Sequence, residues 1–238
     1  MKYLAVLSSK QQKKLEFDTG SSTPTSKVPL ATLSSPTGNE TIISPKTKVK
    51  SATLEMQVLQ SNPILEAFGN ARTIRNDNSS RFGKFIEIGF TDRGVLSGAQ
   101  IDTYLLEKSR VLAQSEGERN FHVFYLLLSG ADKDTLEALD LSSYDADDFA
   151  ITNNLKRRDG VKDSDCFDEM MEAFLHLDFS EATTLSILKL IAAILHLSKV
   201  TFDVGNEGGE GESSSVASTP SAHSACRLLG ISMEVRLD

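Results

Sequence analysis

The 238 residues carry a formal charge of −8 and 39% apolar side chains, enough for a core in one large domain or two small ones. That acidic balance argues against general nucleic-acid or membrane-surface binding, both of which need a basic footprint. No N-terminal apolar run precedes a small-residue cleavage site, and no segment approaches the roughly 18 apolar residues of a membrane span, so the chain reads as soluble and intracellular, without membrane insertion.

Residues 1–17, MKYLAVLSSKQQKKLEF, place Tyr3, Leu4 and Leu7 at helical spacing with no cap residue before them. A helix lacking its first turn predicts that Met1 is an internal methionine of a longer protein. Residues 18–50 are a Ser/Thr/Pro/Gly/Lys tract holding four of the six prolines. They have too few large apolar residues to offset their ordering entropy, so a mobile loop is expected; an ordinary linker is hardly different physically. Leu54, Val58, Leu59 and Leu65 then return to near-helical spacing. Pro63 is expected to break that helix or open a second one, and Gly69-Asn70 to close it.

The next stretch, Asn76-Asp77-Asn78-Ser79-Ser80-Arg81-Phe82-Gly83-Lys84, packs two amides, two hydroxyls, an arginine and a glycine into nine residues. Short oxygen and amide side chains suit a phosphate and its Mg²⁺, because hard cations prefer oxygen ligands and phosphate wants donors. An arginine beside them can latch such a loop through a bidentate ion pair. On polarity alone, a plain surface loop before a strand is the better reading. The order of residues changes that weighting. Asn76-x-x-Ser79-Ser80-Arg81 resembles switch I of the cytoskeletal motor ATPases, and Phe82-Gly83-Lys84 is the form found in myosins. The likeness runs from Asn62 through Ile88 almost without a break. LEKSRV…GERNFHVFYLLLSGA and AAILHLSKVTFD resemble the same family.

This resemblance implies part of a P-loop NTPase motor domain: an α-rich α/β fold whose helices and β-hairpin contribute to a central sheet. It implies ATP and Mg²⁺ as ligands, the actin filament as partner, and a cytoplasmic, cytoskeletal location in a myosin complex. Residues 18–50 would occupy the place of surface loop 1, 62–90 would hold switch I and its strand, and 95–200 would be upper-subdomain helices. Asn76, Asn78, Ser79 and Ser80 would bind the nucleotide, with Ser80 offering its hydroxyl to the metal. Ser79 and Arg81 would be the catalytic candidates. Arg81 would pair with a glutamate on a second mobile loop, shutting the site before hydrolysis.

Two parts of that machinery, a G-x-x-x-x-G-K-S/T loop and an Asp-x-x-Gly-x-Glu segment, match nothing in the 238 residues. ATP hydrolysis by this polypeptide alone is therefore expected to be negligible. Two other readings stay open: a non-catalytic interaction module built from the helices around 115–200, and a truncated gene model.

Farther along, residues 85–90 read as a buried strand and Thr91-Asp92-Arg93-Gly94 as a turn. From Val95 a second strand shows Ala99, Ile101, Thr103 and Leu105 on one face, although 101–111 also fits a helix. Ser115-Glu116-Gly117-Glu118 has the form of a capping box, before an apolar stripe of Phe121, Phe124, Tyr125 and Leu128 that Gly130 ends. His122, beside the stripe, reads as a packed or solvent-edge residue. Residues 132–141 suggest a short helix.

Residues 142–168 are acidic and turn-rich. Asp145, Asp147 and Asp148, and then Asp163, Asp165 and Asp168, lack the glycine and ladder of a calcium loop and read as solvated turns. Cys166 and Cys226 have no metal-type spacing and suit reduced thiols. Met170, Met171, Phe174 and Leu177 mark one helix. Ser180 caps the next, whose Leu185, Leu188, Ile191 and Leu195 line one side while Ile187, Leu190, Ile194 and Leu197 line another, so it should be buried. His196 reads as a core-edge residue. Asp178 stands where the resemblance has a helix-ending glycine and tolerates the left-handed conformation; Ser198 also replaces a usual glycine. Residues 204–223 are expected to be disordered, and 225–229 to begin another helix.

Overall fold

The structure, a computed structural model, describes residues 54–204, 214–216 and 219–232. The expectations for residues 1–17 and 18–50 lie outside the described residues. Helix α1 (Leu54–Gly69) runs through Pro63 without interruption, correcting the expected break. Proline removes one hydrogen bond, to the carbonyl of Leu59, and crowds it; packing against the helices described below holds the line instead. Gly69 does end the helix.

Strands β1 (Asn70–Ala71) and β2 (Ser79–Ser80) follow as a short antiparallel pair, with Asn70 opposite Ser80 and Ala71 opposite Ser79. Strands β3 (Gly83–Phe90) and β4 (Leu96–Tyr104) form the expected hairpin around a turn in which the Gly94 amide donates to the Thr91 carbonyl at 2.8 Å. This hairpin is a separate two-stranded sheet among the described residues. The expected burial of 85–90 is not observed: Phe85 is 58% and Phe90 44% exposed, because two strands alone cover neither face. The alternative helix over 101–111 shrinks to one 3₁₀ turn, Lys108–Val111, after Leu105 has taken a left-handed φ of 56°.

The predicted capping box is a turn instead. Gly117 has φ 79° and the Glu118 amide donates to the Ser115 carbonyl at 3.0 Å, so the chain reverses there and helix α2 (His122–Gly130) starts later. Its residues Val123 to Leu127 are all buried. Short helix α3 (Lys133–Ala138) is capped by Asp132, which accepts from the Thr135 amide at 2.7 Å. Asp145 and Asp148 cap a 3₁₀ turn reciprocally, so these carboxylates bind backbone amides.

Helix α4 (Asp163–His176) begins within the stretch read as turns, with Asp163 and Asp165 favourably placed in its first turn. Asp178 has the anticipated left-handed φ of 59°. Ser180 caps helix α5 (Glu181–Leu197) by accepting from the Thr183 amide at 3.1 Å. Helices α2, α4 and α5, with Leu139, Leu141 and Phe149 from their connections, make the core. His196 is fully inside it, not at its edge, and its Nε2 meets the Leu139 carbonyl at 3.0 Å.

Helix α1 packs against α4 and α2, which carries the β1–β2 pair onto the N-terminal end of α2. Within 204–223 the expected disorder is corrected at both ends. Strands β5 (Phe202–Val204) and β6 (Ser214–Val216) pair antiparallel, and helix α6 (Pro220–Leu229) lies on α5. No described helix is long and apolar enough to cross a membrane.

Candidate functional site

Between β1 and β2 the chain makes a seven-residue excursion, 72–78. Thr73 braces it: its amide and hydroxyl both donate to the Asn76 carbonyl, at 2.8 and 3.1 Å, and its Oγ1 accepts from the Asn76 amide at 3.2 Å. The Asn76 carboxamide oxygen accepts from the Asn78 amide at 2.9 Å, an Asx turn that leaves Asn76 Nδ2 uncommitted among the described residues. Ser79 Oγ accepts from Arg81 Nη1 at 3.2 Å, so its own proton is available. Ser80 donates to the Phe82 carbonyl at 3.0 Å, which leaves the lone pairs of its oxygen free. Asn76, Ser79 and Arg81 line one open cleft of about 500 Å³ with Thr73, Ile74, Arg75 and Glu118.

Arg81 starts a chain of alternating charge. Its Nε meets Glu107 at 2.6 Å; the same carboxylate takes Arg110 Nε at 2.8 Å; Arg110 Nη2 reaches Glu118 at 2.9 Å. Glu118 then accepts from the Ile74 amide at 3.4 Å, so the ion-pair chain that starts at Arg81, just after β2, ends inside the excursion. Burial works against the charge on Arg110, but Glu107 and Glu118 overcome it and hold its pKa above the ordinary value.

Asp77 lies between two arginines. Arg72 Nε is 3.3 Å from its carboxylate, and Arg158 Nε 3.2 Å. Arg158 also donates from Nη1 to the Ile74 carbonyl at 2.8 Å and from Nη2 to that of Thr73 at 3.0 Å. A residue 81 positions away thus grips the outer rim of the excursion.

Of the sequence-predicted residues, Asn76, Ser79 and Arg81 share this cleft, while Ser80, next in the strand and turned to the Phe82 carbonyl, and Asn78 do not line it. Asn78 faces inward. Its amide is committed inside the protein, donating to Glu66 at 2.9 Å and accepting from Asn70 at 3.0 Å and from His122 Nε2 at 3.2 Å. Burial, with the charges of Arg157 and Arg119 nearby, pushes the His122 pKa down to about 3, so the ring is neutral.

Sequence reasoning missed His122, Glu107, Arg110, Glu118 and Arg158 as parts of this site. The Glu107/Arg110 spacing was a visible signal; the contact of Arg158 with Asp77 had none. A family model described as Myosin head (motor domain) matches residues 1–237.

Proposed function

This chain belongs to the myosin head (motor domain) family, and from that premise we propose that residues 72–81 are a phosphate-sensing switch in ATP-driven movement on actin. The observation that carries the reading is the cleft shared by Asn76, Ser79 and Arg81. The uncommitted Asn76 amide and the free proton of Ser79 are donors suited to phosphate oxygens. The Arg81 guanidinium adds the charge that a γ-phosphate attracts. Ser80 Oγ, with its lone pairs free, is the oxygen that would hold Mg²⁺; the metal, when bound, supplies charge neutralisation to the phosphates. Arg81 rests on Glu107, a carboxylate of this chain, and this contact parks the switch.

Hydrolysis needs every such part at once, because phosphoryl transfer runs on positioning and charge neutralisation. The 238 residues contain no glycine-rich G-K-S/T cradle, so as a polypeptide on their own they are a switch without an engine. Actin as partner and the cytoskeleton as location follow from the family alone.

The test is titration of the purified chain with a fluorescent ATP analogue, with and without Mg²⁺. Mg²⁺-dependent binding that Ser80→Ala abolishes and Ser79→Ala weakens is expected. Binding indifferent to Mg²⁺ and to both substitutions would refute the switch assignment. Measurable actin-activated turnover by this chain would sink the claim of catalytic incompetence.

A second reading, a non-catalytic interaction module, is favoured by one feature: Leu175, Leu190 and Leu197 are about half exposed on α4 and α5. It requires partner binding irrespective of nucleotide and a single cooperative unfolding transition. Broad melting would favour a truncated gene product instead.

A further inference from the structure

The amide of Asn78 is oriented by chemistry rather than by fit alone. The Glu66 carboxylate, 2.9 Å away, can only accept, so Asn78 Nδ2 must face it. Asn78 Oδ1 must then face the other two neighbours, Asn70 Nδ2 at 3.0 Å and His122 Nε2 at 3.2 Å. A carboxamide oxygen accepts, so His122 Nε2 carries the hydrogen. Three elements thus converge on one side chain: α1 through Glu66, β1 through Asn70 and the first turn of α2 through His122.

Asn78 directly precedes Ser79, Ser80 and Arg81, so whatever fixes its side chain also fixes the entry of those three into β2. His122 is 3% exposed, and its Nδ1 has no hydrogen-bond partner among the described residues. Among the described residues the ring has one hydrogen-bond partner, and that partner is in the switch.

We propose that His122 is a positioning residue for the switch segment, acting through the side-chain amide of Asn78. The role assigned to the segment rests on the switch reading above; the positioning itself does not. His122 is a fixed donor. With burial holding its pKa down to about 3, the neutral ring gives Nε2–H to Asn78 through neutral pH, and being buried the contact is little screened by salt. The ion pair at Arg81 and the clasp at Arg158 are partly exposed and open to screening by salt.

The experiment compares full-length wild type, His122→Gln and His122→Phe by amide hydrogen exchange over residues 72–81, with Asn78→Ala as a probe from the loop side. Glutamine can still donate an N–H; phenylalanine keeps the bulk and loses the donor. His122→Phe should speed exchange of the segment by about tenfold, the worth of one buried hydrogen bond, and Asn78→Ala, which also loses Glu66 and Asn70, by at least as much. His122→Gln should stay near wild type, and the double variant Asn78→Ala/His122→Phe should be no faster than Asn78→Ala alone. Imidazole nitrogen NMR should show the Nε2–H tautomer without titration through neutral pH.

A glutamine variant as loose as phenylalanine, additive effects in the double variant, or a titrating ring would overturn the proposal. If His122→Phe fails to fold, the wild-type imidazole spectrum decides, since a ring without hydrogen on Nε2 has nothing to donate to Asn78 and overturns the proposal; wild-type exchange in Asn78→Ala overturns it as well. If no variant binds nucleotide, the switch reading fails while the exchange result still decides the role of His122.

Discussion

Arg81 and Glu107 are joined twice across 26 residues of sequence. The guanidinium meets the carboxylate at 2.6 Å, and the Glu107 amide donates to the Arg81 carbonyl at 2.9 Å. The backbone bond fixes where the side chains start, so little extra entropy is lost in forming the ion pair. Through Arg110, Glu107 is also tied to Glu118 and so to the start of the excursion. One carboxylate therefore links the two ends of the candidate switch.

That position predicts a pH dependence. Burial raises the Glu107 pKa, but hydrogen bonds and charge from Arg110 and Arg81 outweigh it and hold the group below its ordinary value. A depressed folded pKa contributes stability above the unfolded pKa and loses it as pH falls through the folded one. Glu107→Gln should cost roughly 1 kcal/mol or less at neutral pH, since the pair is partly exposed. The gap to wild type should close in acid below the carboxylate range. Urea melts at neutral and strongly acidic pH check this; a gap independent of pH would assign the loss to packing.

Arg158 predicts a local effect without a global one. It is half exposed, so Arg158→Ala should change unfolding stability by about 1 kcal/mol or less. Exchange of residues 73–77 should nevertheless rise, because the carbonyls of Thr73 and Ile74 and the carboxylate of Asp77 all lose a partner. Arg158→Lys should rescue little, since an ammonium cannot span three acceptors as the planar fork does. Full rescue by lysine would mean that charge alone carries the contact.

How much of this was legible beforehand follows from the range of each interaction. The helices announced themselves through local periodicity and caps: Ser180 accepts from the Thr183 amide, and Asp178 takes the left-handed turn expected of it. Pro63 misled because a local rule about a lost hydrogen bond was overridden by packing that no local pattern reveals. Ser115 and Glu118 matched a capping motif, yet Gly117 turned the chain and Glu118 found Arg110 instead. Within the site, the polar cluster 76–81 was visible as a block. Its supports were not, because His122 and Arg158 are 44 and 81 residues from their partners and their spacing carries no signal. Asn78 was grouped with the ligand residues by its neighbours in sequence; only the fold shows its amide turned inward.

Gly69 predicts a steric effect at the exit of the switch. A methyl group there would meet the ring of Phe82, the residue after Arg81, and the Gly69 carbonyl accepts from the Arg81 amide at 2.8 Å. Gly69→Ala must displace either the ring or that bond. It should destabilise by about 1–3 kcal/mol, as overpacking does, and speed exchange at the Arg81 amide. The paired variant Gly69→Ala/Phe82→Leu should recover part of both. Additive losses would show that backbone conformation, not the ring, demands glycine.

The buried pair Arg119–Asp163 predicts an asymmetry. Arg119 is fully buried, with its guanidinium 3.6 Å from the Tyr125 ring centre and one nitrogen 2.9 Å from Asp163. Asp163 lies at the start of α4, where a negative charge is favoured by the helix dipole even without its partner. Asp163→Ala would leave a cation with no carboxylate in a dry environment, at a cost of about 3–5 kcal/mol. Arg119→Met removes the charge together with its desolvation penalty and keeps most of the volume, so it should cost distinctly less. Denaturant midpoints for the two variants decide the point. Equal losses would mean that the interaction of Arg119 with Tyr125, rather than the ion pair, holds α4 against the start of α2.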